Sequence, residues 1–259
     1  MAVYKNEEFE GIIVSRKNYK ERDMLVQMYT NRFGFKTFFV RGVRKRGFKL
    51  AAAILPFTQG TYIGDVSDQH LSFITTAKEI KQYQNICSDI MLNAYASYIL
   101  NLAQVALRDQ EKAAMLWYPQ IKQALHLIDA GLAPEIITNV IEIQLLAYFG
   151  VKPNLKECVI CQRCDLPFDY SQSYGGLLCQ RHWHLDPQRL HLDQKTLYYL
   201  RMFSELDLHK INSIKVNPQT IQNLRRTLDL IYEDSVGIYL KTKKFLDEMN
   251  KLPELKGLD

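Results

Sequence analysis

Nowhere in this 259-residue sequence does an apolar run approach the length of about 18 residues that a bilayer-crossing helix needs. Residues 1–10 include Glu7, Glu8 and Glu10 and contain no apolar stretch of the secretory kind, so no signal peptide is expected. A cytoplasmic location without membrane association follows as the expectation. Cysteine is scarce, five in all, and with no secretory context the thiols are expected to be reduced rather than paired in a disulfide framework. Catalytic signatures are absent too. There is no Walker loop and no clustered carboxylate motif for metal-dependent phosphoryl chemistry. A zinc deaminase would need His-x-Glu ahead of Pro-Cys-x2-Cys, but Glu157 precedes Cys158 and His-x-Glu does not occur. Asp165 and Asp169 form a nominal acidic pair, yet they fall in a polar stretch and are expected to be solvated. The chain does not read as an enzyme.

What it has is a charge concentrated in one place. The formal net charge is only +5, but residues 11–50 hold eleven Lys or Arg against two acids, a balance of +9. The remainder carries 22 basic and 26 acidic residues, or −4. A block of this kind is the footprint of a polyanion partner, a solvated surface being the plainer alternative. Its densest part is Arg41-Gly-Val-Arg44-Lys45-Arg46-Gly-Phe48-Lys49, with Arg16, Lys17, Lys20 and Lys36 on neighbouring elements. Such cations can track a sugar–phosphate backbone. Tyr19, Tyr29, Phe38 and Phe48 are candidate stacking platforms. For Phe38 packing in a core is the stronger reading, and Phe48 is the ring to test.

The first 80 residues read as β. Runs at 9–16, 24–29, 35–41, 61–66 and 70–77 are rich in Val, Ile, Phe, Tyr and Thr, with turn-prone spots at 31–34 and 64–68. Five short strands with no helix between them predict a small OB-fold barrel. Past residue 85 the period becomes helical. Apolar residues at Met91–Ala106 spacing, at Trp117–Ile128 spacing and from Pro134 to a stop at Gly150 predict three amphipathic helices packed as a bundle. Helical pattern returns at Asp193 and runs, in further helices, to about Met249. The fold class is therefore α+β and multidomain: an N-terminal OB-fold over 1–80, then a mainly helical domain over 81–259 with an insertion at about 156–187.

The insertion contains Cys158-x2-Cys161-x17-Cys179-x2-His182, the two-knuckle spacing of a zinc ribbon. Gly175 and Gly176 would permit the turn that brings the second knuckle over the first. Cys164 competes for a place among the ligands, and His184 is a spare nitrogen. A closed set of four ligands would make the zinc structural rather than catalytic. Three thiolates and one imidazole leave a net −1 that Arg163 and Arg181 are placed to offset, both also reading as ordinary surface arginines. Cys87, alone on a predicted helix, reads as a small core residue.

Several of these runs together resemble the bacterial DNA repair protein RecO family of recombination mediators. The resemblance rests on Glu10-Gly-Ile-Ile-Val, Tyr19-Lys-Glu21-Arg-Asp23, Thr30 followed by Gly34, Arg41-Gly42-Val43-Arg44-Lys45 and Leu55-Pro56-Phe57. It continues through Phe149-Gly150, Cys158-x2-Cys161, Gly175-Gly176-x2-Cys179 and Gly237-x2-Leu240-x4-Phe245, in the expected order along nearly the whole chain. It implies an OB-fold followed by a helical domain with a zinc-finger insertion. It also implies binding of single- and double-stranded DNA, annealing of complementary strands and loading of RecA onto strands coated by single-strand binding protein (SSB). The partners it implies are RecR and the acidic C-terminal tail of SSB, with functional links to RecA and RecF and association with the nucleoid. Many members have Cys in the fourth knuckle position, where this chain has His182. Composition alone leaves an RNA-binding factor of the translation or transcription machinery as the alternative. A protein-binding adaptor is weaker, since it has no use for the +9 segment.

Overall fold

The computed structural model describes residues 3–67 and 70–251. Two compact units account for them, one comprising the chain up to residue 130 together with the stretch from 244 onward, the other residues 131–243.

In the first unit, strands β1 (Val3–Tyr19), β2 (Asp23–Thr30), β3 (Gly34–Val40), β4 (Thr58–Ser67) and β5 (Ser72–Gln82) close a barrel in the order β1-β2-β3-β5-β4. Neighbours are antiparallel except β3 and β5, and β4 pairs back onto β1, which is the expected OB-type closure. Alternation along each strand sends Phe9, Ile13, Val26, Met28, Phe38 and Tyr62 inward to form the core. Phe38 stacks on Phe9 at 5.5 Å, and the Tyr62 hydroxyl donates to the Ala53 carbonyl at 2.7 Å. The turn expected at 64–68 is strand up to Ser67, and Asp68 lies outside the described residues. The fifth strand starts at Ser72 rather than 70.

Three helices follow: α1 (Gln84–Ser88), α2 (Ile90–Ala106) and α3 (Glu111–Asp129). The Asp89 carboxylate caps α2 by accepting from the Met91 and Leu92 amides. Helix α3 lies against the outer face of β2 and β3, where the Tyr29 hydroxyl donates to the Ala114 carbonyl at 2.6 Å. Tyr29 also stacks on Phe35 at 4.0 Å and meets Tyr118 edge-on, while Lys122 pairs with Glu10 at 2.5 Å. Tyr29 is thus a packing residue. Cys87 is a correction to the sequence reading: it is exposed, because α1 has barely more than one turn and buries only Ile86.

In the second unit, α4 (Pro134–Leu145) tightens into a 3-10 turn at Leu146–Phe149 and stops at Gly150, whose φ of +80° forms the left-handed cap. It packs with α5 (Gln194–Glu205) and α6 (Pro218–Ile231). Gln144 Nε2 donates to the Phe203 and Leu206 carbonyls at 2.8 Å each, and the Tyr232 hydroxyl donates to the Glu142 carbonyl at 2.9 Å. The three consecutive helices expected to form one bundle are divided between the two units: α2 packs on α1 and α3, α3 also on the barrel, and α4 packs with α5 and α6. Between α4 and α5 a small sheet of β6 (Asn154–Cys158), β7 (Phe168–Ser171) and β8 (Gly176–Cys179) runs in the order β6-β8-β7. The last helix, α7 (Lys241–Met249), carries the chain from the second unit back into the first. No helix among the described residues is long and apolar enough to cross a membrane.

Candidate nucleic-acid interface and metal site

The basic residues meet at one end of the barrel because of strand register. Lys17 pairs with Leu25, Leu25 with Phe39 and Phe39 with Phe73, so these four side chains form one outward row across β1, β2, β3 and β5. One step further along, Tyr19 pairs with Asp23 where the β1–β2 turn begins. The Tyr19 ring meets Phe39 edge-on at 5.7 Å, and Phe39 meets Phe73 edge-on at 5.9 Å. Arg41, leaving β3, holds its guanidinium over both Phe39 and Phe73, 5.7 and 5.3 Å from the ring centres. The result is a strip of rings edged by cations, in which Phe39 is buried beneath its neighbours and Arg41 while Tyr19 is exposed and Phe73 half-buried.

The loop from 41 to 57 is tied to the β1–β2 turn. The Gly42 amide donates to Asp23 Oδ1 at 2.8 Å, and Arg44 Nη1 donates to the Glu21 carbonyl at 3.0 Å. Gly42, at φ +66°, makes the turn that sets this course. Arg16, Lys17, Arg41, Arg44, Lys45, Arg46 and Lys49 are all exposed on this loop and the neighbouring strand end. Phe48 is half-buried and packs against the barrel core, so only part of its ring is open. A cleft of about 450 Å³ lies between loop and strands, lined by Phe39, Val40, Arg41, Phe48, Lys49, Leu50, Phe73, Ile74 and Thr75. Lys36 stands apart. It sits near the opposite end of β3, half-buried, with its ammonium 3.5 Å from Glu111 on α3, and lines a different cleft with Arg108 and Asp109. Phe39 and Phe73 were not singled out from the sequence. Strand alternation was the available signal, since an inward Phe38 sends Phe39 outward.

In the second unit the two knuckles converge. One donor atom from each of Cys158, Cys161, Cys179 and His182 lies within 4.8 Å of every other. Sγ of Cys179 and of Cys158 approach His182 Nδ1 to 3.3 and 3.5 Å, and Sγ of Cys161 and Cys179 are 3.7 Å apart. The first knuckle is closed by the Gln162 amide donating to the Cys158 carbonyl and the Cys158 amide to the Arg163 carbonyl. Burial raises the Cys158 thiol, but amides of Cys179, Cys161 and Ile160 and the His182 ring together outweigh it and bring it down to about 6. Burial pushes the Cys179 thiol up. Cys164 is exposed and outside this group, and His184 stands 6.4 Å from His182, ring to ring. Three sulfurs and one imidazole nitrogen converging on one point suit a tetrahedral zinc ion.

Sequence searches bear on both sites. The family described as Recombination protein O N terminal matches residues 1–83, and Recombination protein O C terminal matches residues 87–244. The chain belongs to the RecO family of DNA repair proteins. It is 57% identical over 251 residues to the DNA repair protein RecO of Ligilactobacillus salivarius, covering 96% of each chain. Identity to the DNA repair protein RecO of Latilactobacillus sakei is 53% over 260 residues, or 99% of this chain and 95% of the relative. That of Enterococcus faecalis is 43% identical over 246 residues, 93% and 92% of the two chains.

The surroundings of the cysteine module differ from the sequence reading at Asp169. Asp169 is not solvated. It is buried, pairs with Arg189 at 3.0 Å and accepts from the Tyr170, His191 and Leu192 amides, which fastens β7 to the segment before α5. Arg163 pairs with the exposed Asp165 at 2.6 Å and holds its carboxyl down at about 2. Arg181 is exposed. Asp169 therefore serves the packing of this module, and Asp165 its surface. Of the C-terminal lysines, Lys243 pairs with Asp229 at 2.7 Å and Lys244 lies 3.9 Å from Glu248.

Proposed function

We propose that this RecO-family chain is a non-enzymatic recombination mediator. It binds single- and double-stranded DNA through the basic end of its barrel, anneals complementary strands and helps load RecA onto SSB-coated strands. RecR and the SSB tail are its partners in this reading, with functional links to RecA and RecF. One structural zinc, held by Cys158, Cys161, Cys179 and His182, fixes the fold of the insertion. The observation that carries the reading is the gathering of seven exposed cations from β1 and the 41–57 loop beside a strip of aromatic rings, in a chain whose relatives are named DNA repair proteins.

The chemistry is that of a grip. Lys and Arg release counterions from a polyanion, so affinity falls steeply with salt. With four or five phosphates neutralised, log K falls against log[salt] with a slope of about −3 for single strands, roughly a hundredfold between 50 and 200 mM. Replacing Arg44, Lys45 and Arg46 together by Ala flattens that slope by about two units. An unchanged slope in the folded triple variant moves the phosphate site elsewhere. Annealing of labelled complementary strands proceeds without nucleotide or Mg and leaves the strands intact. A requirement for ATP, or cleavage, would overturn the mediator reading. Competition between matched DNA and RNA strands decides between this reading and the RNA-binding one.

A further inference from the structure

The cleft between the 41–57 loop and β5 has features that a phosphate site does not require. Its lining is apolar at Val40, Leu50 and Ile74, carries the half-buried rings of Phe73 and Phe48 and the edge of the buried Phe39, and has cations at Arg41 and Lys49. Its volume of about 450 Å³ falls within the range of roughly 300–1,000 Å³ typical of small-molecule sites. Arg41 is held over two of the rings, so its guanidinium is oriented before any ligand arrives. A flat, weakly polar group attached to an anionic chain matches this lining. An unpaired nucleobase of a single strand is such a group, and a base inside a duplex cannot enter.

The geometry points to a base-accepting subsite: one unpaired nucleobase of single-stranded DNA enters the cleft beside Phe39, Phe73 and Phe48, while Arg41 and Lys49 engage the flanking phosphates. This rests on the DNA-binding reading above and adds a division of labour to it. The loop cations supply a salt-sensitive attraction open to any polyanion. The rings supply a stacking contribution that is tolerant of base identity, insensitive to salt, and restricted to single strands. Strand annealing benefits from such a site, since a base leaves it as soon as it pairs.

The test compares two oligonucleotides with the same number of phosphates, one ordinary and one carrying abasic residues, bound to the full-length protein across a salt series. The expected result is an ordinary strand bound about tenfold more tightly, with parallel salt slopes for the two. In the paired variant Phe39→Leu with Phe73→Leu, which keeps apolar volume and removes the rings, the gap closes. Equal affinity of the two strands for the unaltered protein overturns the subsite and leaves the phosphate grip standing. A gap that persists in the folded paired variant overturns it as well. If neither strand shows salt-dependent binding, the DNA-binding reading itself fails, and the subsite with it. Should the paired variant not fold, Phe48→Leu alone narrows the gap, and a gap unchanged there and in Phe73→Leu alone refutes the assignment.

Discussion

Position 176 admits nothing larger than glycine, because a Cβ there would stand 2.7 Å from the Asn154 carbonyl oxygen and from Val159 Cγ1. Those atoms belong to the start of β6, the strand that ends in Cys158, and to the knuckle that follows it. Gly176→Ala therefore forces β6 and β8 apart and misplaces two sulfurs, at a cost of about 1–3 kcal/mol. The expected result is metal affinity reduced roughly tenfold or more in competition with a chromogenic chelator. Serine substitution separates the cysteines more sharply. Cys161→Ser removes a converging sulfur and loses stoichiometric zinc, whereas Cys164→Ser, outside the cluster, keeps one zinc per chain. Retention of zinc by Cys161→Ser with loss in Cys164→Ser would exchange their roles. The spacing x2-x17-x2 made the four converging residues legible in the sequence, because each knuckle is a local device. The same spacing left Cys164 as an alternative, since it too lies at an x2 step, and the fold places Cys161 in the group and Cys164 outside it. Cys87 was misread for a related reason: a single apolar-looking residue on a one-turn helix has no stripe to say which side faces in.

Elements were easier to recognise than their partners. The change of period between Gln82, where β5 ends, and Gln84, where α1 starts, is visible in the sequence because strand and helix alternate at different intervals. Where the amphipathic helices dock was not visible. A stripe such as Trp117, Ile121, Ala124 and Ile128 says that one face is buried, not that β2 and β3 bury it. Strand parity had the same limit, since Phe38 and Phe39 are equal in composition and only register assigns one to the core and one to the outer strip. With zinc bound, the cysteine module would be an element in the energetic sense, because such binding contributes on the order of 10 kcal/mol or more to a local fold. Removing the metal with a strong chelator is accordingly expected to raise amide hydrogen exchange over 154–185. Strands β1 to β5 belong to a separate unit with its own core and keep their protection. Equal loss of protection in the barrel would show that the module supports more than itself.

Across the whole molecule the chain separates a barrel that carries the entire positive excess from a second unit that holds the Cys158, Cys161, Cys179 and His182 group, and then returns to the first. The return is carried by the C-terminal half of α7. Leu246 and Met249 are buried, and the Tyr95 hydroxyl on α2 donates to Asn250 Oδ1 at 3.2 Å. A residue near the end of the sequence therefore belongs to the stability of a unit whose other members precede residue 131. Leu246→Ala is expected to destabilise the first unit by about 2–4 kcal/mol, the cost of truncating a buried leucine. The two tryptophans allow this to be read separately, since Trp117 lies on α3 in the first unit and Trp183 in the second, its indole N–H donating to the Leu178 carbonyl. In a Trp183→Phe background, denaturant unfolding followed by Trp117 fluorescence should shift to a lower midpoint with Leu246→Ala. Zinc release, which reports the second unit, should stay at its original denaturant concentration. If zinc release moves and the Trp117 transition does not, the end of the chain supports the second unit instead.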